Sequence, residues 1–75
     1  MAKLIYVDSQ YQEHIFDLKD RGEVLIGRAS SNNLVVKERS VSPHHARLVK
    51  GDQGYVLEDL NSKYGTFVNG DQAQR

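Results

Sequence analysis

The fold expected from the sequence is all-β, a sandwich or barrel of short strands, and three observations support it. No segment carries the i, i+3, i+4 apolar stripe of a helix lying on a core. Seven short runs rich in β-branched and aromatic residues follow one another at close spacing. Between them stand clusters of Gly, Asn, Asp and Ser, the residues that tolerate or stabilise the backbone of tight turns.

In chain order, Leu4-Ile5-Tyr6-Val7 reads as the first strand and stops at Asp8-Ser9. In His14-Ile15-Phe16-Asp17-Leu18, alternation puts His14, Phe16 and Leu18 on one face and Asp17 on the other, so these first two runs are expected to pair antiparallel. Lys19-Asp20-Arg21-Gly22 is a turn cluster, after which Glu23-Val24-Leu25-Ile26 runs apolar to Gly27-Arg28. A polar loop over 29–33 leads to Leu34-Val35-Val36. Further on, Ala46 and Leu48 alternate with Arg47, and a glycine-rich link over 50–54 joins this run to Tyr55-Val56-Leu57-Glu58-Asp59-Leu60 as a hairpin.

Thr66-Phe67-Val68 is the last apolar run, and Tyr6, Phe16, Tyr55 and Phe67 are expected in the core or as cross-strand partners. Asn69-Gly70 then gives the strongest two-residue hairpin signal, because both central residues of a type I′ turn need positive φ. Only the polar Asp71-Gln72-Ala73-Gln74-Arg75 follows. The sandwich is therefore expected to be incomplete at its C-terminus, with about seven strands present. Its remaining strands lie either outside this sequence or on another chain that exchanges an edge with it, which would make a homodimer.

Seventy-five residues form a single small domain with a thin stability margin. Ten basic residues balance ten acidic ones, so no bulk field draws in nucleic acid or an anionic membrane, and there is no basic stripe with interleaved aromatics. Neither partner is expected, and an anion would have to be caught locally. Without cysteine there is no disulfide framework or zinc-thiolate site. The N-terminal apolar run is too short for a signal peptide, and no run approaches the length of a membrane span, which points to a soluble, cytoplasmic chain.

The chemistry-bearing residues cluster around Val41-Ser42-Pro43-His44-His45-Ala46, a polar loop between two strand runs. A phosphorylated side chain carries about −1.5 to −2 charges and three acceptor oxygens, so its receptor needs a fixed cation and several neutral donors. Arg28, after a glycine at a strand end, offers a planar fork that matches phosphate oxygens in pairs. Ser42 adds a hydroxyl, and the loops containing Ser31, Asn32 and Ser40 add backbone amides. Ser42, His45 and Asp59 also invite a hydrolase triad, but so short a chain can hardly build the oxyanion hole and dry pocket that triad requires. His14, His44 and His45 make a poor metal set, since adjacent strand residues face opposite ways. No catalysis, cofactor or metal is expected.

Over residues 24–70 these pieces, in this order, resemble a forkhead-associated (FHA) domain. They are Ile26-Gly27-Arg28, Ser42-Pro43-His44-His45 as a Ser-x-x-His element, and Asp59-Leu60-Asn61-Ser62-Lys63-Tyr64-Gly65-Thr66-Phe67-Val68-Asn69-Gly70. The resemblance implies a β-sandwich whose loops at one end bind phosphothreonine peptides in a partner protein or in the parent protein. It assigns phosphate binding to Arg28 and Ser42, and structural support of the site to Gly27, His45, Gly65 and Asn69.

Two departures mark this chain. Pro43 follows the serine and has neither a side-chain donor nor a backbone N–H. Lys63 and Tyr64 stand where the family often has Thr-Asn. Lys63 and Arg39 offer substitute cations, to the phosphate or to an acidic flank, and Ser31, Asn32 and Tyr64 join them as candidate peptide or phosphate contacts, although Asn32-Asn33 can equally cap turns by bonding their own backbone. The rival expectation is an assembly element that oligomerises by strand exchange, with phosphate binding lost.

Overall fold

Alternating side chains decide which face of each strand turns inward, and the residues that do so are those the pattern selects. The computed structural model describes residues 2–68 and 71–73. Its strands are β1 (Lys3–Val7), β2 (Glu13–Asp17), β3 (Glu23–Gly27), β4 (Leu34–Val35), β5 (Ala46–Gly51), β6 (Gly54–Asp59), β7 (Phe67–Val68) and β8 (Asp71–Gln72). They form a β1-β2 hairpin, a four-stranded sheet in the order β4-β3-β5-β6, and a β7-β8 pair. The expected all-β sandwich is present, with eight strands described where about seven were expected. The added strand is β8, whose polar side chains hid it: Phe67 pairs with Gln72 and Val68 with Asp71 through backbone groups that any residue supplies.

The core is one row across the central sheet. Val24 lies opposite Leu48, and Leu48 opposite Leu57, so three strands contribute adjacent side chains. Leu18, Val24, Leu34 and Leu48 are buried, and Leu4, Tyr6 and Phe16 of the β1-β2 hairpin pack down on them as the second layer. Tyr55 ends in this layer with its hydroxyl donating to the Arg21 carbonyl at 2.7 Å. On the other face of the sheet, Arg47 bridges Glu23 and its cross-strand neighbour Glu58.

The two layers do not close. An apolar cleft of about 520 Å³ runs between them, lined among others by Leu4, Tyr6, Ile26, Val36, Leu57 and Phe67. Phe67, expected in the core or as a cross-strand partner, takes the second place: it pairs across the strands with Gln72 and stays 60% exposed. Among the described residues β1 is paired along one edge only, and no helix is long and apolar enough to cross a membrane.

The β1-β2 turn is held by one carboxylate. Asp8 Oδ1 accepts the Gln10 and Gln12 amides at 2.9 Å each, and Oδ2 meets His14 Nε2 at 2.8 Å. The Tyr6 ring stacks on His14 at 4.7 Å. The hydrogen bond from His14, then those from the backbone, hold the Asp8 carboxyl below its ordinary 3.8. A depressed folded-state value means that the stabilisation is complete above 3.8 and is lost as the pH falls through the lower, folded value. Acid titration followed by NMR should therefore loosen the Gln10 and Gln12 amides in that range. Asp8→Asn should remove the pH dependence, and amides equally protected on both sides of the range would contradict this account.

Candidate functional site

Beyond the end of β3 the backbone keeps making ladder-like hydrogen bonds, now to a loop. His45 N–H donates to Ile26 O at 3.0 Å, Arg28 N–H to Ser42 O at 3.1 Å, and Ala29 N–H to Pro43 O at 3.2 Å. These bonds lay the 41–45 loop against the strand end. The approach is so close that a Cβ on Gly27 would stand 2.2 Å from the Pro43 carbonyl oxygen, which explains a glycine there. Pro43 thus contributes its carbonyl, the one polar backbone group proline keeps.

Asn32 clamps the same junction. Its Nδ2 donates to Ala29 O at 2.7 Å and to Pro43 O at 2.8 Å, and the residue is 8% exposed. It was expected to face a ligand. With both amide hydrogens engaged inside the protein, it instead organises the loops and has no donor left for an anion. Beside it, Asn33 Oδ1 accepts the Leu25 amide at 2.7 Å, a pairing the sequence did not suggest.

His45 joins two loops. Its Nδ1 accepts the Ser42 amide at 3.0 Å, so its proton sits on Nε2, which faces the Gly65 carbonyl at 3.1 Å. Gly65 has φ +84°, a conformation that favours glycine. The Ser42 hydroxyl turns the other way and accepts the Lys63 amide at 3.1 Å. Serine and histidine therefore meet through the serine backbone, and no nucleophile-base pair forms.

Asp59, drafted from sequence only as a triad member, is 3% exposed and sets the shape of the 60–66 loop. Oδ2 accepts the Ser62 amide at 3.0 Å, while Oδ1 accepts the Ser62 and Thr66 hydroxyls at 2.5 Å each. Its spacing from Ser62 is the signal that could have revealed this role, since a carboxylate commonly caps amides a few residues on.

Arg28 and Ser42 are thereby brought to one rim. Arg28 is exposed, and its Nε donates to Val41 O at 3.0 Å, one residue from Ser42. Among the described residues its two terminal amino groups have no hydrogen-bond partner, and the Ser42 hydroxyl, having accepted from Lys63, still has its own proton to donate. Lys63 lies in the adjoining loop with its Nζ 5.3 Å from the centre of the Tyr64 ring. Ser31 and Arg39 are exposed on neighbouring loops without a described contact to this group. Asn69 lies outside the described residues. Among the described residues no cluster of His, Asp or Glu could hold a metal ion.

The three loops, 28–33, 36–45 and 60–66, carry Arg28, Lys37, Arg39 and Lys63 against the single acidic residue Glu38. Charge that cancels over the whole chain is thus locally positive at this end. The arrangement can bind an anion by a bidentate guanidinium and a hydroxyl.

Comparison with known proteins gives the same picture. The family model described as the FHA domain matches residues 24–75. An ABC transporter ATP-binding/permease protein of Mycobacterium tuberculosis is 49% identical over 49 residues, covering 65% of this chain and 6% of that protein. Among solved structures, the FhaA FHA domain complexed with the intracellular domain of a partner superposes with a TM-score of 0.75 at 28% identity, covering 93% of this chain and 75% of that one. A chain from a structural and functional analysis of phosphothreonine-dependent FHA domain interactions superposes with a TM-score of 0.68 at 28% identity, covering 89% and 67%. The chain spans only a small part of the curated relative, so the match concerns a domain and not that whole protein.

The rim stands or falls on the approach of Gly27 to Pro43. Gly27→Ala should cost about 1–3 kcal/mol in urea unfolding, as overpacking does. Gly22→Ala, where an added Cβ meets nothing within 4 Å, should stay within about 0.5 kcal/mol. Equal effects at the two glycines would contradict the close approach.

Proposed function

This chain belongs to the FHA domain family, and we propose that it binds phosphothreonine peptides through Arg28 and Ser42 without catalysing any reaction. The observation that carries the reading is the convergence of unengaged donors at one rim. The terminal amino groups of Arg28 and the Ser42 hydroxyl proton belong to side chains already fixed by bonds to Val41 O and the Lys63 amide. Fixing the donors beforehand lowers the cost of ordering them on binding.

Charge-assisted hydrogen bonds contribute about 1.5–3 kcal/mol each. Three or four of them sustain about 8 kcal/mol, an affinity on the order of micromolar that suits reversible signalling. The partner is a phosphothreonine-bearing protein or another part of the parent protein, met in the cytoplasm where kinases act. His45, Gly27 and Gly65 serve by holding the loops in place.

Titrating matched peptides by fluorescence anisotropy should show saturable binding of the phosphorylated form alone. Arg28→Ala should weaken it by about a hundredfold or more while leaving the circular dichroism unchanged, since two charge-assisted bonds are removed. Equal binding of phosphorylated and unphosphorylated peptides would refute the reading.

A second reading, assembly by strand exchange, rests on a different observation: the open cleft of about 520 Å³ beside a β1 strand paired along one edge, with Ile5 and Val7 exposed on that strand. An edge without proline or a bulge is a template for another strand. Pairing with a second copy does not remove the rim, so both readings can hold together. Light scattering should then give a dimer mass, and a well-folded monomer at all concentrations would exclude it.

A further inference from the structure

The phosphate receptor leaves three loop cations over, Lys37, Arg39 and Lys63, and of these Lys63 is the one placed by described contacts. Arg28 and Ser42 supply a fork and a hydroxyl, which is a sufficient set for one phosphate, and Arg28 is bound to Val41 O, which keeps it beside Ser42. Lys63 is tied to the same hydroxyl by its backbone, through the 3.1 Å bond from its amide to Ser42 Oγ. Its side chain goes elsewhere. The ammonium is parked 5.3 Å from the centre of the Tyr64 ring, an attraction that steadies a cation without neutralising it.

We infer that Lys63, held over Tyr64, reads a second anionic group on the same peptide, next to the phosphothreonine; this rests on the phosphopeptide reading above. Three features support it. No ion pair of Lys63 is described, whereas Arg47 and Lys50 on the central sheet both have acidic partners. The loops themselves offer it little: Asp59 is buried with both oxygens occupied, and Glu38 is the single acid set against four cations. Tyr64 is 61% exposed, so its ring also presents an apolar surface along which a peptide leading to that anion can lie.

It is the Lys63 amide that bonds Ser42 Oγ, while the ammonium lies against the Tyr64 ring. A carboxylate of Asp or Glu, or a second phosphate, fits the same ammonium. Because the pair is exposed, its effect is modest and falls with salt.

The test uses the full chain and phosphothreonine peptides that differ at one flanking position, with Gln, Glu or phosphoserine placed at each flanking site in turn. Wild type should bind the best-placed anionic variant about two- to fivefold tighter than its Gln counterpart at low salt. That ratio should fall toward one in Lys63→Gln, persist in Lys63→Arg, and shrink as ionic strength rises. A gain with Glu assigns the anion to a carboxylate, and a gain with phosphoserine alone assigns it to a second phosphate.

A ratio unchanged in Lys63→Gln would overturn the inference, because the ammonium would then be serving the phosphothreonine or nothing. Wild type binding every phosphopeptide equally would overturn it while leaving the phosphopeptide reading intact. Failure of wild type to bind any of them would remove both.

Discussion

The Pro43 carbonyl oxygen occupies the space a side chain at position 27 would need, and the geometry of the rim depends on that one steric exchange. Two donors reach this oxygen, the Ala29 amide and the Asn32 side chain, which fills both of its lone-pair directions. The strand end, the 29–33 loop and the 41–45 loop are fixed together at a single point. From there the register passes outward, through Arg28 to Val41 and through Ser42 to His45 and Lys63. A residue without an N–H, which looks like a loss at a binding loop, is useful here for its acceptor.

The same loops show why a Ser-x-x-His element need not be catalytic. Catalysis wants the imidazole on the hydroxyl, so that the base can take its proton. Here the imidazole holds the serine amide on one side and the Gly65 carbonyl on the other, and the hydroxyl faces away toward the 60–66 loop. The histidine acts as a brace between loops, and Asp59 acts likewise one layer deeper, with Ser62 and Thr66 folded onto its oxygens. Polar groups that must be satisfied once buried have been turned into the means of shaping the rim.

How much of this was legible beforehand varies with the kind of signal. Strands with one buried face announce themselves by period, as Ala46 and Leu48 do against Arg47, whereas the apolar run Val24-Leu25-Ile26 shows a strand without saying which face turns inward. Arg28 and Ser42 were expected close together, since their order along the chain carries the family likeness, and their segments do lie side by side. Asp71–Gln72 escaped because its ladder is a backbone property without a side-chain pattern. Asn32 was counted both as a turn-capping residue and as a candidate ligand contact, and its side chain takes the first part, since a polar loop residue does not announce which partner it will find. For Phe67 the strand pattern left core and cross-strand places open, and which one it takes follows from what stands over it, which composition does not encode.

The anchoring of Arg28 has one more consequence. A guanidinium can hold the protein with its inner nitrogen while keeping two outer nitrogens for something else, so one residue is at once hinge pin and hand. Lysine, with equal charge, has a single nitrogen at the tip and cannot divide itself in this way. Charge conservation at position 28 is therefore a weaker requirement than the branching of the side chain, and selection for grip would act on shape before sign.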